Sequence, residues 1–175
     1  MGGFIVGFDN DKPDIFSRQF DFIQQSGVVT AMVGLLMALP QTRLYHRLVK
    51  EGRMEAECTG NNTDAFLNFR PKLNRDFLVD GYRELMKRLY EPRNYYRRIR
   101  IFLKRNRPQG PRAKLAWSDI QALLKSIWVI GVRHRGQLAF WKFYAITLLR
   151  RPHQFYAAVE LAITGYHFRN VARSL

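Results

Sequence analysis

The chain of 175 residues is 47% hydrophobic and 14% aromatic, which supplies a core and excludes disorder throughout. Its single cysteine, Cys58, excludes an internal disulfide and a multi-cysteine metal site, and we expect a cytoplasmic protein. The net charge of +15 is unevenly distributed. Residues 1–74 carry eight basic and eight acidic side chains, whereas residues 75–175 carry 21 basic and six acidic ones. The second half of the chain therefore favours an anionic partner.

Two apolar runs, each followed by a helical pattern, begin the chain. The predicted elements are a strand at about Gly3–Phe8, a helix at about Pro13–Ser26, a second strand within Val28–Ala38 and a short helix at Arg43–Glu51. Asp11 and Thr42 are the expected caps of the two helices, and Gly27 suits the end of the first. The first strand is apolar enough to have both faces covered, and the β-α-β-α order predicts an α/β fold with parallel strands.

From Arg75 the chain is predicted to be all-α almost to its end. The strongest periodicity is an apolar stripe formed by Phe77, Leu78, Gly81, Tyr82, Leu85, Met86, Leu89 and Tyr90. Further helices are expected from Pro92, after Ser118, at about Gln137–Leu149 and at about His153–Ala172. No run reaches the ~20 apolar residues that a transmembrane helix needs.

The helix that begins at Pro92 has an apolar face and a basic face. The apolar face carries Tyr95, Tyr96, Ile99, Phe102 and Leu103, and the basic face carries Arg93, Arg97, Arg98, Arg100, Lys104 and Arg105. A basic face of this kind is either simply solvated or binds an anionic membrane surface. Nucleic acid is a less favoured partner, because aromatic rings that stack on bases would have to share the basic face.

Two other sets of residues were candidates for metal binding. The four histidines, His46, His134, His153 and His167, lack metal-ligand spacing and are interpreted as surface or capped residues. The carboxylates Asp9, Asp11 and Asp14 are interpreted as helix-cap and first-turn acids rather than as a hard-metal cluster.

The first strand, Gly3-x-Ile5-x-Gly7, resembles the G-x-I-x-G-x-x-E motif of radical SAM enzymes. The resemblance extends over Gly3-Phe4-Ile5-Val6-Gly7-Phe8-Asp9, Phe16-x-x-Gln19-x-x-Phe22-Ile23-Gln24-x-Ser26-Gly27, Met32-Val33-Gly34-Leu35-Leu36-x-Ala38-x-Pro40-x-Thr42-x-Leu44-Tyr45 and Gly60-Asn61-Asn62-Thr63-Asp64. Together these segments are similar to the C-terminal part of cobalamin (B12)-binding radical SAM proteins of the hopanoid C-2 methylase type. In that family a helical domain of unknown function follows the barrel.

The resemblance implies that residues 1–55 are the last two βα units of a partial (β/α) barrel. Residues 56–74 would then be a connecting segment, and residues 75–175 a basic helical domain of about five helices. By resemblance, the cofactor-binding residues are Ile5 and Gly7, beside S-adenosylmethionine, and Leu35, Leu36, Met37 and Ala38, near its adenine. Ligand contacts in barrels cluster at the C-terminal ends of strands, where glycine permits close approach. The alternative is that the glycines only relieve packing between strand and helix.

Two features depart from the family pattern. The final Glu of the motif falls at Asn10, and the CxxxCxxC loop, the first four strands and the cobalamin domain have no counterpart. Cys58 alone cannot replace the several thiolates of a [4Fe–4S] cluster. We therefore expect the chain alone to bind no cofactor and to be inactive, and we interpret it as truncated, beginning at an internal methionine of a longer protein.

The sequence leaves two functions open. In the first, the chain is the C-terminal part of a B12-dependent radical SAM (Fe–S) enzyme, where it completes the barrel and covers the active site with the N-terminal part of the parent. That parent, by resemblance, uses S-adenosylmethionine, a [4Fe–4S] cluster and cobalamin, for example to methylate an unactivated carbon. In the second, the chain is a free-standing basic helical module, peripheral to the membrane, that binds an anionic membrane surface or nucleic acid.

Overall fold

Two parallel strands, each followed by a helix, form the first part of the chain, as the apolar runs predict. The computed structural model describes residues 1–57, 65–106, 121, 125–133 and 136–175. The elements of the first part are β1 (Gly2–Val6), α1 (Ile15–Ser26), β2 (Ala31–Leu35) and α2 (Arg43–Lys50). β1 pairs with β2 in parallel, with Ile5 opposite Gly34. The predictions for Cys58, Ser118 and His134 lie outside the described residues.

The helix ends follow the local sequence signals, with one exception. Thr42 is confirmed as the N-cap of α2, since its hydroxyl accepts a backbone N–H at 3.2 Å, and Gly27 follows α1 with a φ of 75°. The expected cap Asp11 is wrong, because its carboxylate instead accepts the backbone N–H groups of Gly7 and Phe8, at 2.7 and 2.9 Å. A short acidic side chain can satisfy a turn as readily as a helix start, so its position in the sequence did not decide between them.

The rest of the described chain is helical. Its elements are α3 (Arg75–Leu89), α4 (Pro92–Arg105), a π-helical segment (Ile127–Arg133), α5 (Gln137–Arg150), a short 3₁₀ turn (Pro152–Gln154) and α6 (Phe155–Ser174). Pro92 begins α4 as predicted, where its missing N–H costs nothing. Within the described residues, no helix is both long and apolar enough to span a bilayer. The fold is therefore mixed α/β, mostly helical, with a small two-stranded sheet.

The helices pack in order outward from the sheet. The predicted stripe of α3 is buried at Leu78, Tyr82, Leu85, Met86 and Leu89, and α3 packs on β2 and α1. Helices α4 and α6 pack on α3, and α5 packs in turn on α4, α6 and the π-helical segment. The core therefore joins the strands to the helical part, in which α4 and α6 lie between α3 and α5.

One face of the sheet is open, in contrast to the expectation that both faces would be covered. Ile5 is 53% exposed and Met32 is 44% exposed, whereas Val6 and Val33, on the opposite face, are buried. Among the described residues, β1 pairs only with β2, so its outer edge has no strand partner there. The described residues therefore do not cover both faces, and coverage by another part of a longer protein stays a prediction.

Candidate functional site

A cavity of about 540 Å³ lies between the sheet and helices α3 and α6. The strands form one wall, and Tyr82 of α3 and Phe168, Val171 and Leu175 of α6 form the other. No charged side chain of the described residues lines it. Such a surface suits an apolar or flat aromatic ligand, because polar groups buried against it would lack hydrogen-bond partners.

Four of the six predicted cofactor-binding residues line this cavity: Ile5, Leu35, Leu36 and Met37. The other two, Gly7 and Ala38, lie directly beyond the carboxyl ends of β1 and β2. The two predicted groups therefore meet at one edge of the sheet, because strands that run in parallel end on the same side.

The two glycines of the motif, Gly3 and Gly7, differ in backbone conformation and in their surroundings. Gly7 has a φ of 105°, a conformation that other residues rarely adopt, although an added Cβ would meet neighbours no closer than 3.6 Å. At Gly3 an added Cβ would meet nothing within 4 Å. The positive φ therefore explains why glycine occupies position 7. Neither position requires glycine in order to relieve packing within the described part of this chain.

The acidic residues after β1 are engaged in structural contacts. Arg53 donates to both carboxylate oxygens of Asp9, at 3.0 and 2.7 Å, and Arg47 lies 3.0 Å away. The hydrogen bond and charge of Arg53 lower the pKa of Asp9. Asp11 holds the turn at Gly7, as described above. Among the described residues, no group of three or more His, Cys, Asp or Glu could hold a metal ion.

Asn68 is a residue of this site that the sequence analysis missed. Its side chain is fully buried, and its Oδ1 and Nδ2 both bond to the backbone of Ala38, at 2.9 Å each. Its own carbonyl accepts the N–H groups of Glu55 and Ala56, at 3.1 and 3.2 Å. The one available signal was a polar residue between two apolar ones, Leu67 and Phe69. Asn68 therefore fixes the chain directly beyond the cavity wall.

Five of the six residues predicted to form the basic face of α4 lie on the protein surface. Arg93, Arg97, Arg100, Lys104 and Arg105 are exposed. Arg105 also donates to the carbonyls of Gln25 and Ser26, at 2.9 and 3.1 Å. Arg98 is fully buried, so its assignment to an anion-binding surface is wrong.

Arg98 instead joins three elements inside the core. Its guanidinium donates to the side chain of Gln24 at 3.3 Å and to the carbonyl of Val29 at 3.2 Å. It lies 5.6 Å from the ring centre of Tyr90 and 5.3 Å from that of Tyr95. Burial lowers the pKa of Arg98 to about 10. The contacts tie α4 to α1 and to the segment before β2, which is a structural role.

Comparison with known proteins gives one matching family and two similar curated proteins. Residues 42–175 match the family described as "Domain of unknown function (DUF4070)". An uncharacterized methyltransferase of Synechocystis sp. (strain ATCC 27184 / PCC 6803 / Kazusa) is 34% identical over 175 residues, covering 96% of this chain and 32% of the relative. The hopanoid C-2 methylase of Rhodopseudomonas palustris (strain TIE-1) is 32% identical over 159 residues, covering 86% and 29%.

The chain thus spans about a third of the length of these relatives. The similarity to a hopanoid C-2 methylase confirms the resemblance seen in the sequence. No solved structure matches.

Proposed function

This chain belongs to the DUF4070 family, and from that premise we propose that it is the C-terminal part of an enzyme related to B12-dependent radical SAM methylases. Its role there is to complete the barrel and to cover the active site. The observation that carries the proposal is the apolar cavity beside the sheet, which Ile5, Leu35, Leu36 and Met37 line. The names of the two relatives, a methyltransferase and a methylase, support the same class of reaction.

The residues present fit part of the cofactor set. The apolar wall at Ile5 and Leu36 suits the flat face of an adenine, and the turn at Gly7 directly follows β1 beside this wall. The sequence holds one cysteine, so the thiolates of a [4Fe–4S] cluster belong to the other part of the enzyme. When bound, S-adenosylmethionine supplies the radical. This chain orients it, and the apolar residues of α6 keep water out of the cavity.

A chimeric enzyme tests this proposal. Residues 1–175 of this chain replace the aligned last third of the Synechocystis methyltransferase, and the chimera is reconstituted anaerobically with iron and sulfide. We expect it to hold a cluster and to bind S-adenosylmethionine in equilibrium dialysis. Ile5→Asp places a charge on the cavity wall and should weaken that binding at least about tenfold, with the iron content unchanged.

The matched control is Val49→Asp, since Val49 is also half exposed but lies on α2, away from the lining of the cavity. This variant should bind S-adenosylmethionine like the unmodified chimera. A chimera with a full cluster that does not bind S-adenosylmethionine would contradict the proposal. So would equal affinity of the Ile5→Asp and Val49→Asp variants.

A further inference from the structure

Helix α5 is apolar on both of its faces. Phe140, Phe143, Tyr144 and Thr147 are buried against the neighbouring helices. On the other side Leu138 and Leu149 are 88% and 83% exposed, and Trp141 and Leu148 are also exposed. These four residues recur at the spacing of one helical face, which we call the outer face of α5. A helix that is apolar all round is normally buried, so among the described residues this face lacks a cover that it is suited to have.

The charged residues of α5 and of the adjacent α4 are all basic. Lys142 lies within the outer face, one turn from Leu138, and Arg150 ends the helix. On the adjacent α4, Arg93, Arg97, Arg100 and Lys104 are exposed. From residue 92 to the C-terminus the sequence holds 17 basic and two acidic residues. A surface with this charge favours an anionic partner over an ordinary protein surface of mixed charge.

The tryptophans point to a lipid surface as that partner. The indole N–H of Trp141 donates to the carbonyl of Gly131 at 3.0 Å, which fixes a ring that is partly exposed beside the leucines. Trp128, in the π-helical segment, is 63% exposed. Tryptophan beside leucine and lysine is typical of helices that lie at a membrane–water interface.

The position of α5 separates this face from the cavity. The helix packs on α4, α6 and the π-helical segment, whereas the outer edge of β1, at the sheet, has no strand partner among the described residues. The remaining part of a barrel would continue from β1 and not from α5. The outer face of α5 can therefore contact a membrane while the sheet edge is completed elsewhere.

We propose that the outer face of α5 binds the surface of an anionic membrane, with its leucines and Trp141 at the boundary between headgroups and acyl chains. The 14 residues of α5 extend about 21 Å, less than the ~30 Å of a bilayer core, so the helix lies in the plane of the interface. Lys142 and the basic residues of α4 attract anionic headgroups. This inference is independent of the proposed function, and either can fail without the other.

Vesicle flotation with the full chain tests the inference. The vesicles are phosphatidylcholine alone, or phosphatidylcholine with about 30% phosphatidylglycerol. We expect binding to the anionic vesicles only, and weaker binding at high salt. Leu138→Glu with Leu149→Glu should lower the partition coefficient at least about tenfold, because two exposed leucines no longer enter the acyl region.

The matched control is Phe22→Glu with Val49→Glu, which changes the net charge equally at exposed apolar residues of α1 and α2. It should bind within about threefold of the unmodified chain. Circular dichroism verifies that both variants are folded. Equal loss of vesicle binding in both double variants, or no binding to anionic vesicles, would overturn the inference.

Two other outcomes would also overturn it and would identify a different partner. Binding to poly-uridine RNA without vesicle binding would assign the basic surface to nucleic acid. A dimer that only the α5 variant dissociates, again without vesicle binding, would assign the outer face of α5 to a second copy of the chain.

Discussion

The side-chain amide of Asn68 forms hydrogen bonds with both the N–H and the C=O of Ala38, 30 residues earlier in the chain. The pair reproduces, with one side chain, the two bonds that a neighbouring strand would make. It fixes the segment directly after β2, next to Leu36 and Met37 of the cavity wall. The shape of the proposed S-adenosylmethionine site therefore depends on a residue that does not line it.

Asn68→Ala should destabilise the fold by about 2 kcal/mol or more, because it leaves a buried donor and a buried acceptor of Ala38 without partners. Urea denaturation measures the change. The control is Asn10→Ala, at an exposed position, which should change the free energy of unfolding by less than about 0.5 kcal/mol. Equal stability of the two variants would show that the Asn68–Ala38 bonds add nothing to the fold.

Two adjacent arginines of α4 should respond very differently to truncation. Arg98→Ala removes a buried side chain and its bonds to Gln24 and Val29, so we expect a loss of about 3 kcal/mol. Arg97→Ala alters an exposed side chain and should cost less than about 0.5 kcal/mol. Thermal or urea unfolding of both variants decides the point. Similar stabilities of the Arg97→Ala and Arg98→Ala variants would mean that Arg98 lies on the solvated face of α4, as its charge suggests.

The buried tyrosines predict a loss of stability at alkaline pH. Burial raises the pKa of Tyr90 to about 12 and also raises those of Tyr95, Tyr96 and Tyr144. An unfolded tyrosine loses its proton near pH 10. Between about pH 10 and 12 the unfolded state therefore binds fewer protons than the folded state, and the free energy of unfolding falls as the pH rises.

Arg98 acts in the opposite direction over the same range, since its lowered pKa means that the unfolded chain holds the proton longer. Burial also lowers the pKa of Arg169, which acts in the same direction as Arg98. These two groups do not offset four tyrosines, so the net slope remains negative. Tyr96→Phe should make this slope shallower while the ring keeps its stacking on Phe143, 4.8 Å between centres. Urea unfolding at several pH values measures the slope. If Tyr96→Phe leaves the pH dependence of the free energy of unfolding unchanged, Tyr96 does not contribute to the loss of stability at alkaline pH.

Gly165 and Gly3 give a test of packing. A Cβ at Gly165 would overlap the ring of Tyr95, which is buried and held by its bond to the carbonyl of Leu161 at 2.8 Å. Gly165→Ala should therefore destabilise the chain by about 1–3 kcal/mol, despite the better helix propensity of alanine. Gly3→Ala meets open space and should leave the free energy of unfolding within about 0.5 kcal/mol. Differential scanning calorimetry compares the two, and a more stable Gly165→Ala variant would mean that α6 packs less closely on α4.

Reconstitution with iron and sulfide tests the assignment of the cluster to another part of the enzyme. The chain alone offers one cysteine, so it should retain no stoichiometric iron and show no charge-transfer absorbance after desalting. Iron analysis and the absorbance spectrum give the result. The chimera with the Synechocystis methyltransferase is the positive control. A stoichiometric cluster on the chain alone would contradict the argument from the missing thiolates.

Local signals in the sequence predicted the order of the strands and helices, the cap at Thr42 and the turn at Gly27. The position of Arg98 was also available from spacing, because residues 95, 98, 99 and 102 share a helical face, but the charge of the side chain favoured the surface. Asn68 could not be found in this way. Its partner lies 30 residues away, and its own segment has no periodicity. The open sheet face likewise depends on which helices pack against the strands, which no local pattern encodes.

In the proposed enzyme, β1 is an interior strand of a barrel that the rest of the enzyme completes. In β1 the N–H of Gly2 bonds to Thr30 across the sheet, so alternation along the strand directs the N–H of Ile5 to the outer edge. The direct test is hydrogen exchange at Ile5 in the chain alone and in the chimera. We expect fast exchange in the chain alone and exchange at least about a hundredfold slower in the chimera. Equal exchange rates in the two proteins would contradict it.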